Sequence, residues 1–150
     1  MRLRLLILVG GLVCAGSAVA QDADGVTVET SRGLYVPGDT VEVIVTNARK
    51  DAVWLAGCAA LQLQAFEAEK YAAVPLEKCV AEGDAVKVEP GTHVLSFTAE
   101  SAHSGNILRA GVAFGWGCTQ AGPLSAARCQ DFASQWSRNF RISRKADGGQ

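Results

Sequence analysis

The sequence predicts an all-β fold, an antiparallel sandwich of about seven to eight short strands. Two observations carry this prediction. Apolar and polar residues alternate with a period of two through most of the chain. Turn-forming residues such as Pro37-Gly38-Asp39 and Pro90-Gly91 recur at the short spacings typical of a sandwich. The chain has 150 residues, of which 49% are hydrophobic, and this suits one domain with its own core.

Each strand follows from its own run of alternating residues. Valines occupy every second position in the first two strands, and the residues between them are polar except Ile44. A tight turn at 67–70 joins two later strands. In chain order the predicted strands lie near 26–28, 41–45, 53–55, 61–66, 71–74, 94–98, 108–116 and 139–143. The last strand directs Phe140 and Ile142 inward. Residues 125–136 are the one helical candidate, as a short helix or a loop.

The first twenty residues predict a signal peptide. Arg2 and Arg4 precede an apolar stretch, and Ala18-Val19-Ala20 forms a cleavage site before Gln21. The apolar stretch is shorter than the ~20 residues of a membrane-spanning helix. We therefore expect residues 1–20 to be removed, residues 21–145 to form the domain and residues 146–150 to be a flexible tail. The product is expected in the periplasm or outside the cell, without stable membrane insertion.

Four cysteines follow the predicted signal peptide. An even number in an exported chain indicates two disulfides, and four cysteines allow three connectivities. The strand order favours Cys58–Cys79 and Cys118–Cys129, each joining segments that leave and return at one end of the sandwich. A bridge between the sheets is the alternative. Zinc is a weaker interpretation, because the chain has no C-x-x-C pair.

The sequence offers no catalytic constellation, and we expect no enzyme activity, metal or cofactor. His93 lies on the same strand face as Leu95 and Phe97, whereas His103 lies in a polar loop. No G-x-S-x-G motif and no calcium-loop spacing of acidic residues is present.

Charge and glycine placement suggest a binding surface. Residues 21–100 hold 13 acidic and 6 basic residues, whereas residues 101–150 hold 6 basic and 2 acidic ones. This asymmetry favours an acidic partner or an anionic surface. The near balance of 14 basic and 15 acidic residues over the whole chain does not suit nucleic-acid binding. Glycines in a strand mark close approach of a ligand or of the chain's own segments. The candidate surface residues are Arg109, Gly111, Ala113, Gly115, Trp116, Arg128, Arg138 and Arg141.

Several short motifs resemble those of small secreted bacterial immunoglobulin-like domains. Residues 35–41, YVPGDTV, resemble the entry to such a sandwich, and Pro90-Gly91 resembles its turn before a strand. Residues 137–142, SRNFRI, resemble its final strand. The pattern, which covers about 35–143, is also similar to that of domains related to an intracellular proteinase inhibitor of bacilli. The resemblance implies the fold and carries over no functional residue.

These features lead to one expectation of function and two alternatives. We expect an exported, non-catalytic binding or accessory domain that engages a protein partner. The resemblance adds a proteinase inhibitor as an alternative, with the loop between Cys118 and Cys129 as the segment to test. An exposed edge strand could also support a homo-oligomer, which makes a self-assembling structural surface protein the second alternative.

Overall fold

The structure, a computed structural model, describes residues 25–57, 60–76, 83–119 and 122–144. The predicted signal peptide, the tail at 146–150 and the Cys58–Cys79 bridge lie outside these residues. Eleven strands are described: β1 (Val26–Thr30), β2 (Leu34–Tyr35), β3 (Thr40–Asn47), β4 (Val53–Leu55), β5 (Leu61–Glu67), β6 (Lys70–Val74), β7 (Val86–Val88), β8 (Gly91–Thr98), β9 (Ile107–Trp116), β10 (Asp131–Trp136) and β11 (Phe140–Ile142). One short 3-10 helix covers Ser101–His103.

The strands form two sheets, which confirms the predicted all-β class. The small sheet has the order β1-β3-β8 and is antiparallel throughout. The large sheet is built around β9, which pairs antiparallel with β10 and β11 and also with β4 and β5. β7 adds to β4, β6 adds to β5, and β2 adds to β11 in parallel. None of the described residues forms a helix long and apolar enough to cross a membrane.

The core lies between the two sheets and consists of the residues that the period-two pattern selects. Burying them away from water is the main force holding the sheets together. From the small sheet it takes Val26, Val28, Val41, Val43 and Val45, and from the large sheet Val53, Leu55, Leu108, Ala110, Val112 and Phe114, all with 0% exposure. Phe140 and Ile142 join them, as predicted.

Asn47 is a buried polar residue that connects the sheets. It is 2% exposed and ends β3. Its Nδ2 donates to the carbonyl oxygens of Asp51 (3.0 Å) and Val88 (3.2 Å), and its Oδ1 accepts from the amide of Arg49 (3.0 Å). Because these bonds satisfy the buried amide, its polar atoms avoid the cost of an unpaired buried group.

The predicted turn at 67–70 is a two-residue hairpin loop. Glu67 pairs with Lys70, and both loop residues have left-handed backbone angles, with φ of 46° at Ala68 and 64° at Glu69. Positive φ at both positions is the geometry of the type I′ turns that join tightly paired strands.

The helix considered for residues 125–136 is wrong, whereas the loop alternative holds for residues 125–130, which form turns and irregular backbone. Residues 131–136 form strand β10, which pairs with β9 from Asp131 opposite Trp116 to Trp136 opposite Gly111. The hydrogen bonds and side-chain packing offered by β9 determine this conformation, since local preference is weak in the segment.

The strand count also differs, because β2, β7 and β10 are strands that the sequence did not predict. Interruptions divide the strands that pair with β9. β4 and β5 both pair with β9 but are separated by residues 56–60. β10 and β11 are separated by residues 137–139. The first of these, Ser137, donates its amide to the Ala110 carbonyl (2.7 Å), and its Oγ accepts from the Ala110 amide (3.0 Å). The serine side chain therefore replaces a backbone acceptor where the strand breaks.

Candidate binding face on the large sheet

The outward side of β9 carries four of the predicted surface residues. Leu108, Ala110, Val112 and Phe114 point into the core. Because side chains alternate along a strand, Arg109, Gly111, Ala113 and Gly115 lie on the opposite side. We call this side of the large sheet the outer face.

Arg109 is held in one position by three neighbouring side chains. Its guanidinium carbon lies 3.5 Å from the ring centre of Tyr71 and 4.7 Å from that of Trp136. Its Nε and Nη2 both donate to Oε1 of Gln64, at 2.9 and 2.7 Å. A guanidinium stacked on aromatic rings gains cation–π attraction, and its planar group directs two N–H donors at the single Gln64 oxygen. The arginine is therefore fixed in place before any partner arrives.

Tyr71 and its neighbours extend this arrangement towards the hairpin. The Tyr71 hydroxyl donates to Oδ1 of Asn139 at 2.7 Å, which joins β6 to the segment before β11. The Phe66 ring lies 5.1 Å from the Tyr71 ring and is 42% exposed. We name Gln64, Phe66, Tyr71, Arg109 and Trp136 the Arg109 cluster.

The glycines of β9 do not form an open platform. A Cβ atom on Gly111 would lie 2.4 Å from Cε3 of Trp136, and one on Gly115 would lie 3.1 Å from both Cys129 Sγ and a Phe132 ring carbon. This packing matches close approach by the chain's own segments, and not close approach by a ligand, as the reason for the glycines. Because Gly111 has no side chain, the Trp136 ring can pack directly over it.

We expect Gly111→Ala to destabilise the protein by about 1–3 kcal/mol, because the added methyl group must push the Trp136 ring away. Urea unfolding followed by circular dichroism measures this loss. Gly33→Ala is the matched control, since a Cβ there meets nothing within 4 Å. Equal stability of the two variants would contradict the packing role of Gly111.

Trp116 and Arg128, two predicted surface residues, serve the fold. Trp116 packs against the core side, with the Arg49 guanidinium 4.6 Å from its ring centre. Arg128 is only 7% exposed and donates to the carbonyl oxygens of Gly122 and Pro123. Arg128 therefore closes its own loop and is not presented to a partner.

The Cys118–Cys129 disulfide is formed as predicted, with an S–S distance of 2.06 Å. It closes the loop that contains Arg128 and brings Cys129 against Gly115. This bridge therefore joins the β9–β10 connection to the end of the outer face.

The charges on the outer face have one sign. Among the described strands of the large sheet, the outward positions carry Lys87, Arg109 and Arg141 and no Asp or Glu. Lys87 is paired with Glu89, just beyond its strand, at 2.6 Å. Arg138, in the segment before β11, is also exposed. Phe132, at 38% exposure on β10, adds apolar surface to the same face.

The histidines lie away from this face. His93 is half-buried on β8, on the side of Leu95 and Phe97 as predicted, and His103 has Nε2 3.9 Å from a Glu100 carboxylate oxygen. Within the described parts of the chain, no three His, Cys, Asp or Glu residues are grouped to hold a metal ion.

Sequence reasoning identified Arg109 but missed the residues that hold it. Gln64 and Tyr71 belong to the predicted hairpin, and their outward positions were available from its alternation. Trp136 stood in the segment interpreted as a helix or loop, so no pattern placed it over Gly111.

No protein-family model matches the chain, and no curated protein matches it.

Proposed function

We propose that the protein is an exported, non-catalytic binding domain whose outer face engages an acidic protein partner. The observation that carries the proposal is the Arg109 cluster, an arginine fixed between two aromatic rings on a face whose strand positions hold cations and no carboxylate. Arginine, tyrosine and tryptophan supply much of the binding energy at protein interfaces.

Rigidity favours binding over a purely structural role for this cluster. A side chain that is already ordered loses little conformational entropy when a partner covers it. Arg109 is half-buried and held by Gln64, so a partner carboxylate would meet a prepositioned cation. The exposed ring of Phe66, in contact with Tyr71, provides apolar area nearby, and Phe132 exposes a second ring farther along the outer face.

The strand order supports an immunoglobulin-like sandwich as part of this proposal. In such folds one sheet has the order A-B-E-D and the other contains C, F and G. β1, β3 and β8 correspond to A, B and E, and β9 corresponds to F between C (β4 and β5) and G (β10 and β11). Strand D has no counterpart among the described residues. The Cys118–Cys129 bridge supports export, since disulfides persist in oxidising compartments.

The predicted result of Arg109→Ala is a loss of partner affinity of about 30-fold, the size expected for an arginine at the centre of an interface. The protein would be immobilised, and proteins retained from the extracytoplasmic fractions of its host identified by mass spectrometry. Affinity for the retained protein would then be measured at low and high salt. We expect weaker binding at high salt, because exposed charges are screened.

Arg49→Ala is the matched control for this experiment. Arg49 also stacks on a tryptophan, 4.6 Å from the Trp116 ring centre, but away from the outer face. Its replacement is expected to leave affinity unchanged. A partner that binds Arg109→Ala and the parent protein equally would overturn the outer-face assignment. Retention of no protein, or only of basic ones, would overturn the proposed partner class.

A proteinase inhibitor is the second candidate, favoured by the disulfide that closes the loop between Cys118 and Cys129. Inhibitory loops are exposed and held rigid by their scaffold. Inhibition of one protease class that is lost after cleavage of this loop would support this alternative, and no inhibition across the classes would remove it.

A further inference from the structure

The edge of the small sheet differs from the other edges of the molecule. β8 pairs with β3 in an unbroken register of eight residue pairs and has no second neighbour among the described strands. Exposed strand edges invite pairing with another chain, and proteins protect them with short length, charge, proline or bulges. β8 is eight residues long and contains no Asp, Glu, Lys, Arg or Pro.

The other described edge strands are each protected. β2 has two residues and β7 three. β1, β6 and β10 are five to six residues long and each contains a charged residue, namely Glu29, Lys70 and Asp131. The unprotected edge of β8 is therefore a distinct feature.

Among the described residues, the inward side chains of β8 are less completely buried than those of β3. On β3 the inward residues Val41, Val43 and Val45 have 0% exposure. On β8 the inward residues His93, Leu95 and Phe97 are only half-buried, and Val94 on the outer side is 53% exposed. One more strand beside β8 would cover Leu95 and Phe97 and continue the core.

We propose that the occupant of this edge is β8 of a second copy of the chain. Two β8 strands related by a two-fold axis at Leu95 would pair antiparallel. In this register, inward residues of one copy lie opposite inward residues of the other, and outward residues lie opposite outward ones. The opposed residues would be Leu95 and Leu95, His93 and Phe97, Val94 and Ser96, and Thr92 and Thr98. Apolar residues meet on the inner side, and the absence of Asp, Glu, Lys and Arg prevents repulsion between like charges.

Two charge variants test this register. In Val94→Lys/Ser96→Lys each lysine would face a lysine of the other copy, which disfavours pairing. In Val94→Glu/Ser96→Lys each glutamate would face a lysine. Both positions point outward, and Glu42 on β3 lies opposite residue 96 in both variants, so its effect cancels.

The experiment is sedimentation equilibrium on protein purified after expression of the full chain. We expect the parent to be a dimer and the double-lysine variant to dissociate with a constant raised by about tenfold or more. The glutamate–lysine variant is expected to regain the dimer. A parent that stays monomeric at high micromolar concentration, or a dimer that both variants leave unchanged, would overturn the proposal.

Hydrogen exchange on the parent protein gives an answer that does not depend on any variant folding. The β8 amides that face the open edge should exchange more slowly as the protein concentration rises, because pairing removes them from water. Exchange that does not change with concentration would overturn the assignment of β8 as the contact. The dimer uses the small sheet, so its failure would leave the proposal for the outer face intact.

Discussion

Replacing Phe140 by alanine should lower the free energy of unfolding by about 3–5 kcal/mol. Phe140 is 1% exposed and lies on β11, with its ring 5.7 Å from the ring of Tyr35 and 6.4 Å from that of Phe97. These partners belong to the large and small sheets respectively. Truncation therefore opens a cavity between the sheets, and much of the 5–15 kcal/mol typical of a domain is lost.

Phe132→Ala is the control for this prediction. Phe132 is 38% exposed and points outward from the neighbouring strand β10, so its removal should cost about 1 kcal/mol or less. Urea unfolding of both variants, followed by circular dichroism, measures the difference. Equal losses would contradict the inward placement of Phe140 and the outward placement of Phe132.

The inward position of Phe140 was predictable because its strand follows the simple rule of an antiparallel sandwich. Phe140 and Ile142 point inward, and the exposed Arg141 between them points outward. The same alternation placed the valines of β3 and the apolar residues of β9. Where one face of a strand is buried, the alternation of apolar and polar residues shows directly which residues face the core.

β10 was not predictable by this rule, because its pattern is inverted. Its large apolar residues, Phe132 and Trp136, face outward, while its inward side carries Asp131, Ala133 and the buried Gln135. Hydrophobicity alone assigns the wrong face or no strand at all. The strand forms because β9 offers its edge and because Gly111 leaves room for the Trp136 ring.

The Arg109 cluster could be predicted only in part, for a related reason. Gln64 meets Arg109 because the interruption at 56–60 sets the register of β5 on β9. Above the break Leu55 lies opposite Phe114, and below it Leu61 lies opposite Val112. Periodicity along one strand contains no information about the length of such an interruption. The cross-strand partners of Arg109 therefore could not be predicted from the sequence.

Removing the Cys118–Cys129 disulfide should also be costly, by about 3 kcal/mol in the variant Cys118→Ser/Cys129→Ser. The bridge spans 11 residues of sequence. Without the bridge the unfolded chain gains conformational entropy, which favours unfolding. The folded protein also loses the packing of the Cys129 sulfur, which is 7% exposed as a residue, against Gly115. Thermal unfolding in oxidising buffer measures the loss, and a variant as stable as the parent would contradict it.

Adding reductant to this variant tests the second predicted bridge, Cys58–Cys79, by itself. Cys118–Cys129 is already absent there, so a further loss of about 3 kcal/mol would report Cys58–Cys79. No further loss would contradict that pairing. A protein that needs both bridges would be unstable in a reducing compartment, because thiols there stay reduced. The stability difference between the two buffers therefore also tests the expectation that the protein works after export.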